Sequence, residues 1–208
     1  HVAGVALGFA NVVRPGSVGV VAASGTGAQQ VMCLLDAAGV GLSHCLGVGG
    51  RDLKETVGGR STRQALRALA DDPATETVLV VSKPPAPEVA DHVRLRASQL
   101  GLPVDLALLG AGQPTLTEAA ERVVRALGLS WREPRAWPAP EPHRPRAGAL
   151  RGLFAGGTLC DEAMLIASTR LGPVRSNIPL EPDWRLPDDL RADGHLMIDF
   201  GDDRLTRG

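Results

Sequence analysis

The stretch that decides the fold is Val18-Gly19-Val20-Val21-Ala22-Ala23-Ser24-Gly25-Thr26-Gly27. Its first six residues are apolar without alternation, the mark of a strand buried on both faces. Ala28, Val31, Met32 and Leu35 then recur at i, i+3, i+4 and i+7, which is one face of a helix. Gly39 and Gly41 close that helix. The order strand, glycine-rich turn, helix repeats along the chain. Leu42 to Val48 reads as a second strand. Ser61 with Gln64 three residues on reads as a capping box opening a second helix through Leu69. Strands at 77–81 and 103–109 and helices at 88–100 and 117–127 follow, while residues 2–10 carry no clear pattern. Alternation at this spacing implies right-handed βαβ crossovers, hence a doubly wound parallel sheet over residues 1–129.

Residues 130–149 contain Pro134, Pro138, Pro140, Pro142 and Pro145, a density that reads as a semi-rigid linker. The pattern then restarts over 150–208. A strand at 150–155 meets the turn Gly156-Gly157-Thr158, a helix at 159–169 follows, and His195 to Phe200 reads as a further strand. So short a unit is expected to be a partial α/β domain, completed by another segment. Residue 1 is His, which fits a fragment or a processed chain.

Composition narrows the function. The 208 residues carry a net charge of −1, giving no basic face for nucleic acid. No apolar run is long enough for a membrane helix, and the start lacks a signal-peptide pattern. Cys33, Cys45 and Cys160 show no C-x-x-C pairing, so a zinc site or disulfide framework is not expected and a reducing cytoplasm is the default. His44, His92, His143 and His195 lack ligand spacing to one another. No metal site is predicted.

The chemistry-bearing features are loops. Ser24-Gly25-Thr26-Gly27 sits where a parallel strand runs into a helix, the edge at which open α/β sheets bind ligands. Free amides of the first turn and the positive end of the macrodipole favour an anion there. Helix capping by Ser24 or Thr26 is the alternative. The dinucleotide fingerprint is incomplete, and neither a nucleotide P-loop nor a G-x-S-x-G elbow is present. Lys83, following the third strand, is the candidate catalytic cation at the same edge, against the alternative of a solvated loop lysine. Gly49, Gly50 and Arg51 form a candidate substrate loop. Gly156, Gly157 and Thr158 repeat the anion-cradle pattern, with Asp161 and Glu162 expected in the first helical turn.

The run Arg14-Pro15-Gly16-Ser17-Val18-Gly19-Val20-Val21, then Ser24-Gly25-Thr26, resembles the succinyl-CoA synthetase α-subunit and its nucleoside-diphosphate-forming acyl-CoA ligase relatives. Gly39-Val40-Gly41-Leu42-Ser43, Leu46-Gly47-Val48-Gly49-Gly50 and Asp71-Asp72-Pro73 continue the likeness over 14–128. The resemblance implies a flavodoxin-like ligase domain whose Ser-Gly-Thr helix start holds the phosphate of a phosphohistidine. The chain departs from that pattern at the chemistry. Lys83 stands where the ligases place a glutamate, and Leu109-Gly110-Ala111-Gly112 stands in place of their histidine segment. A fuller likeness is to the FdrA family, through Ala22-Ala23-Ser24-Gly25-Thr26-Gly27-Ala28-Gln29-Gln30, Gly50-Arg51-Asp52-Leu53, Arg151 to Cys160, and Ser176-Asn177-Ile178-Pro179-Leu180.

That resemblance implies a subunit of a carbamoyl- or acyltransferase, like the oxamate carbamoyltransferase of allantoin breakdown, which interconverts oxalurate plus phosphate with oxamate plus carbamoyl phosphate. No cofactor is indicated; CoA and carbamoyl phosphate are the candidate substrates. Expected partners are a small anionic substrate and other subunits of a hetero-oligomer, with a homodimer also open. Two other readings stand beside transfer. One is an acyl-CoA ligase subunit using a histidine from another chain; the other is a non-catalytic scaffold.

Overall fold

In the computed structural model, residues 1–110, 112–137 and 147–206 are described. The chain forms two compact units, His1–Arg132 and Glu133–Gly208. Residues 138–146 of the proline-rich stretch predicted as a linker, His143 among them, lie outside the described residues, as does Ala111.

The first unit follows the predicted alternation. Its strands are β1 (Pro15–Ala22), β2 (Leu42–Gly47), β3 (Thr77–Val81) and β4 (Val104–Ala107), and its helices are α1 (Gly25–Ala37), α2 (Arg60–Ala70), α3 (Pro87–Ser98) and α4 (Leu116–Ala126). The four strands form one parallel sheet in the order β2-β1-β3-β4. With β1 in the interior, the chain steps to one side for β2 and back across for β3. Right-handed crossovers then put α1 and α2 on opposite faces. Helix α1 packs with α4, and α2 packs with α3.

Alternation assigns each residue a face. Val21, Val78 and Val80 turn to the α2–α3 side, where they join Leu66, Leu69, Val89 and Val93. The opposite parity, Val20, Ala22 and Leu79, turns to the α1–α4 side, and all are buried. Small residues let the layers close. A Cβ on Gly19 would lie 2.9 Å from a Leu69 methyl, so α2 rests directly on the β1 backbone. A Cβ on Gly41 would lie 2.0 Å from the Pro15 carbonyl oxygen. There the turn after α1 crosses the start of β1, held by Leu42 N–H donating to Arg14 O and Val18 N–H to Gly41 O.

Two helix starts depart from expectation. Ser61 and Gln64 do not form a capping box. Helix α2 begins at Arg60 after Gly59, whose φ of 70° is left-handed, and no side chain caps it locally. Asp52 does so from the preceding loop. Its carboxylate accepts from Ser61 N–H (2.8 Å), Thr62 N–H (2.8 Å) and the Thr62 hydroxyl (2.7 Å). A true capping box appears at α4, where Thr115 Oγ1 accepts from Glu118 N–H and Glu118 Oε2 accepts from Thr115 N–H.

The second unit is a three-stranded parallel sheet in the order β5-β7-β6. Its strands are β5 (Arg151–Phe154), β6 (Val174–Arg175) and β7 (His195–Asp199), with α5 (Gly157–Leu171) packed on them and a short α6 (Asp203–Thr206) after β7. Strand β6 is two residues long and carried no signal in the sequence. The core under α5 is Cys160, Met164, Val174 and Met197. Ser176-Asn177 serves as a clamp at the end of β7: Asn177 Oδ1 accepts from Asp199 N–H and Asn177 Nδ2 donates to Asp199 O, each at 3.0 Å. The fold is thus α/β in both parts, with a flavodoxin-like doubly wound sheet in the first.

Candidate functional site

A cavity of about 360 Å³ lies at the carboxyl ends of β1 and β2, on the α1 face. Ala22, Ala23, Ser24 and Gly25 bring the end of β1 and the start of α1 to it. Gly47, Gly49 and Gly50 bring the end of β2, and Ala28 and Met32 the flank of α1. Cys45 of β2 and an N-terminal strap, residues 1–12, which contributes His1, Gly8, Phe9 and Asn11, complete the wall.

Ser24 is the N-cap of α1. Its backbone is extended and its hydroxyl oxygen accepts from Gly27 N–H at 3.0 Å. One amide of the first turn is therefore satisfied within the chain. Those of Gly25 and Thr26, at the first two helical positions, have no acceptor in the helix by its geometry. Gly25 is exposed and Thr26 half-buried. Capping and ligand binding are compatible here, because the Ser24 oxygen takes the third amide and leaves the first two.

The strap was unpatterned in sequence. It is tied to β2 by a bridge between Val2 and His44, with Cys45 N–H donating to His1 O and Ala3 N–H to His44 Nδ1 at 3.2 Å. His44 Nε2 in turn lies 3.2 Å from an Asp72 carboxylate oxygen. Further along, Phe9 stands over the helix start: a Cβ on Gly25 would lie 3.1 Å from the tip of its ring. Asn11 then faces α1, its amide 3.5 Å from Cys33 Sγ and its oxygen 3.4 Å from Gln29 Nε2.

No carboxylate is among the described residues lining this cavity. The Cys45 thiol is there and buried, and burial pushes its pKa up, so it stays neutral near pH 7. An anion against Gly25 would meet the positive end of α1 and, among the described lining residues, no carboxylate. The same lining holds no carboxylate able to act as a general base.

The predicted site residues are brought together in part. Ser24, Gly25, Gly49 and Gly50 share the cavity, whereas Thr26 and Gly27 are not on its wall and Arg51 is exposed and away from it. Arg51 is followed by Asp52, so this loop also positions α2. Lys83 is half-buried on the other side of β1 and does not line the cavity. Its backbone is nonetheless close in register: Ala22 pairs with Val81, so Ser24 and Lys83 each follow a matched pair by two residues. His1, Gly8, Phe9, Asn11 and Cys45 are wall residues that sequence reading missed.

The turn of the second unit is built differently. Gly156 is the extended N-cap of α5 without a side-chain cap bond, and Gly157 and Thr158 are buried, unlike exposed Gly25. Asp161 and Glu162 do not sit in the first turn as expected, because α5 starts at Gly157, ahead of the predicted 159. Asp161 falls in the second turn and is buried, which places a carboxyl group inside the unit near the helix start. Among the described residues no cluster of His, Cys, Asp and Glu is arranged to hold a metal, and no helix is long and apolar enough to cross a membrane.

No family model matches the chain. It is 38% identical over 224 aligned residues to an uncharacterized protein, YahF, of Escherichia coli (strain K12), and the match covers 99% of this chain and 44% of that protein. The chain therefore spans less than half the length of this curated relative.

Proposed function

We propose that this chain is the small-anion-binding part of a larger carbamoyl- or acyltransferase of FdrA type, and that the anion lies on the first turn of α1. One observation carries the reading: the start of α1, at Ser24 and Gly25, lines a cavity that Gly47, Gly49 and Gly50 also line and whose described wall holds no carboxylate. Helix N-termini of this kind hold phosphate and carboxylate through oriented N–H groups.

In the transfer reading, a phosphate oxygen attacks the carbamoyl carbon of oxalurate. The bond from that carbon to the oxamate nitrogen breaks, and the nitrogen takes up a proton. As the new carbon–oxygen bond forms, negative charge passes from the attacking phosphate oxygen to the carbonyl oxygen. Preorganised amides aimed at such charge lower a barrier by a few kcal/mol. Lys83, which follows β3 at the same sheet edge and lies beyond the cavity wall, is assigned the compact positive charge in this reading.

Calorimetric titration of the chain with carbamoyl phosphate and with oxamate tests the proposal. Saturable binding that weakens as salt rises is the expected outcome. Absence of binding at millimolar ligand overturns it and favours the scaffold reading.

A further inference from the structure

Strand β2 is an outer strand of the first sheet, and the start of the strap pairs with it at His44. The half-buried His44 ring joins the two at both nitrogens. Nδ1 accepts from Ala3 N–H at 3.2 Å, and Nε2 lies 3.2 Å from Asp72 Oδ2. A backbone amide can only donate, so Nδ1 presents its lone pair and the ring proton sits on Nε2, donating to Asp72. Asp72 is itself fixed. Thr75 Oγ1 donates to its Oδ2 at 2.7 Å, Ala74 N–H donates to its Oδ1 at 3.1 Å, and Ser43 Oγ lies 2.7 Å from Thr75 Oγ1. The Thr75 hydroxyl first, then the Ala74 amide, hold the Asp72 carboxyl below its ordinary value, so it stays ionised wherever histidine side chains titrate.

We infer that His44 is a proton-operated latch: its neutral ring pins the strap along β2, and a proton taken up at Nδ1 releases the strap and opens the cavity wall formed by His1, Gly8 and Phe9. The proton comes from solvent and occupies the lone pair that Ala3 N–H uses, so donor then faces donor. The Nε2–H bond to Asp72 is made whether the strap is on or off, and its strengthening on protonation therefore favours neither state. Only the Ala3 bond distinguishes them. The strap is the element that gives way, because residues 2–10 are exposed while β2 is held through its length by β1. Other charged groups around His44 do not reproduce the device. Strand β1 has no ionisable side chain. The Cys45 thiol is buried and pushed upward. On the strap, the His1 amine donates to Cys45 O at 3.1 Å, and His1 lines the cavity. At the end of α2, Arg67 and Asp71 pair with each other at 3.6 Å, and Glu76 beyond them is exposed. The latch is independent of what the cavity binds.

The test is residue-resolved amide exchange of the whole chain by NMR between pH 8 and pH 5, expressed as protection over the unstructured rate so that the ordinary pH dependence of exchange divides out. Protection at Ala3 and at Cys45, whose N–H donates to His1 O, should fall about tenfold or more on acidification, while Val80 in β3 stays constant as the internal reference. His44→Gln, neutral at every pH, should remove this pH dependence while His1 remains to titrate. Long-range proton–nitrogen correlation of the wild-type ring should show the Nε2–H form at pH 8. A ring protonated at Nδ1 at that pH overturns the inference, and this measurement needs no variant. Protection at Ala3 and Cys45 that ignores pH in wild type overturns it as well. The same pH dependence in His44→Gln assigns the effect to His1 and overturns the role of His44.

Discussion

Asp52→Asn probes how the candidate loop and α2 are joined. Asp52 is 3% exposed, and its two oxygens receive three hydrogen bonds within 2.8 Å. Asparagine keeps the shape but offers one acceptor oxygen. Its NH₂ must then face either Ser61 N–H or Thr62 N–H, donor against donor. Losing a helix cap costs about 1 kcal/mol. Losing a charge-assisted bond and stranding a buried amide costs about 1.5–3 kcal/mol. These overlap, so a loss of about 2–3 kcal/mol in the first unit is expected, on the order of 10 °C in its melting midpoint. The pH dependence has a definite sign. Burial alone raises the Asp52 pKa, but the Thr62 hydroxyl and the amides of Ser61 and Thr62 outweigh it and the net shift is downward. A depressed folded pKa stabilises above the unfolded value, about 3.9, and the contribution is lost as pH falls through the folded value. The gap between wild type and variant should therefore be full at pH 7 and shrink below about pH 4. Thermal unfolding across pH, with hydrogen exchange at the first amides of α2, measures both effects. A variant with wild-type stability at pH 7 and unchanged exchange in α2 refutes the argument.

Three other outcomes follow from the geometry. Gly41→Ala drives a Cβ into the Pro15 carbonyl and should cost about 3 kcal/mol or more; Gly47→Ala, with open space around its Cβ position, should stay within about 0.5 kcal/mol in the same urea titration. Thr115→Ala removes the α4 capping box and should lower stability by about 1 kcal/mol, read by chemical denaturation. Lys83→Ala should weaken carbamoyl phosphate binding about three- to fivefold, the scale of one partly screened charge; unchanged affinity by calorimetry takes Lys83 out of the site.

Local pattern carried the first unit. Strand β1, its turn and α1 were readable because a buried apolar run, two glycines and a 3.6-residue period sit side by side in sequence. Strand β3, where Thr77 leads into the apolar run 78–81, was readable to the residue. What escaped depends on distance along the chain. Ser61 and Gln64 have the spacing of a capping box, but Asp52, nine residues earlier and charged, supplies the stronger acceptor. Residues 2–12 have no period because they form no element; they are placed by single bridges to β2 and by Phe9 against a glycine. Strand β6 is too short to show alternation, and the early start of α5 moved Asp161 from the helix entrance into the interior. Within the site, the glycines and Ser24 were legible as a turn, whereas the apolar wall emerges only when the strap is folded back.

The interior place of β1 also shapes how the chain reaches this state. Residues 15–22 are made first, yet their second neighbour, β3, is not complete until residue 81 has been added. Through that interval Val18, Val20 and Val21, all wholly buried at the end, present an unmatched ribbon edge to whatever is nearby. Parallel pairing across such gaps is slow and invites wrong partners. Production of the protein should accordingly be governed by the time between those two segments, and gain more from holding chaperones or slower synthesis than from added stability in the finished fold.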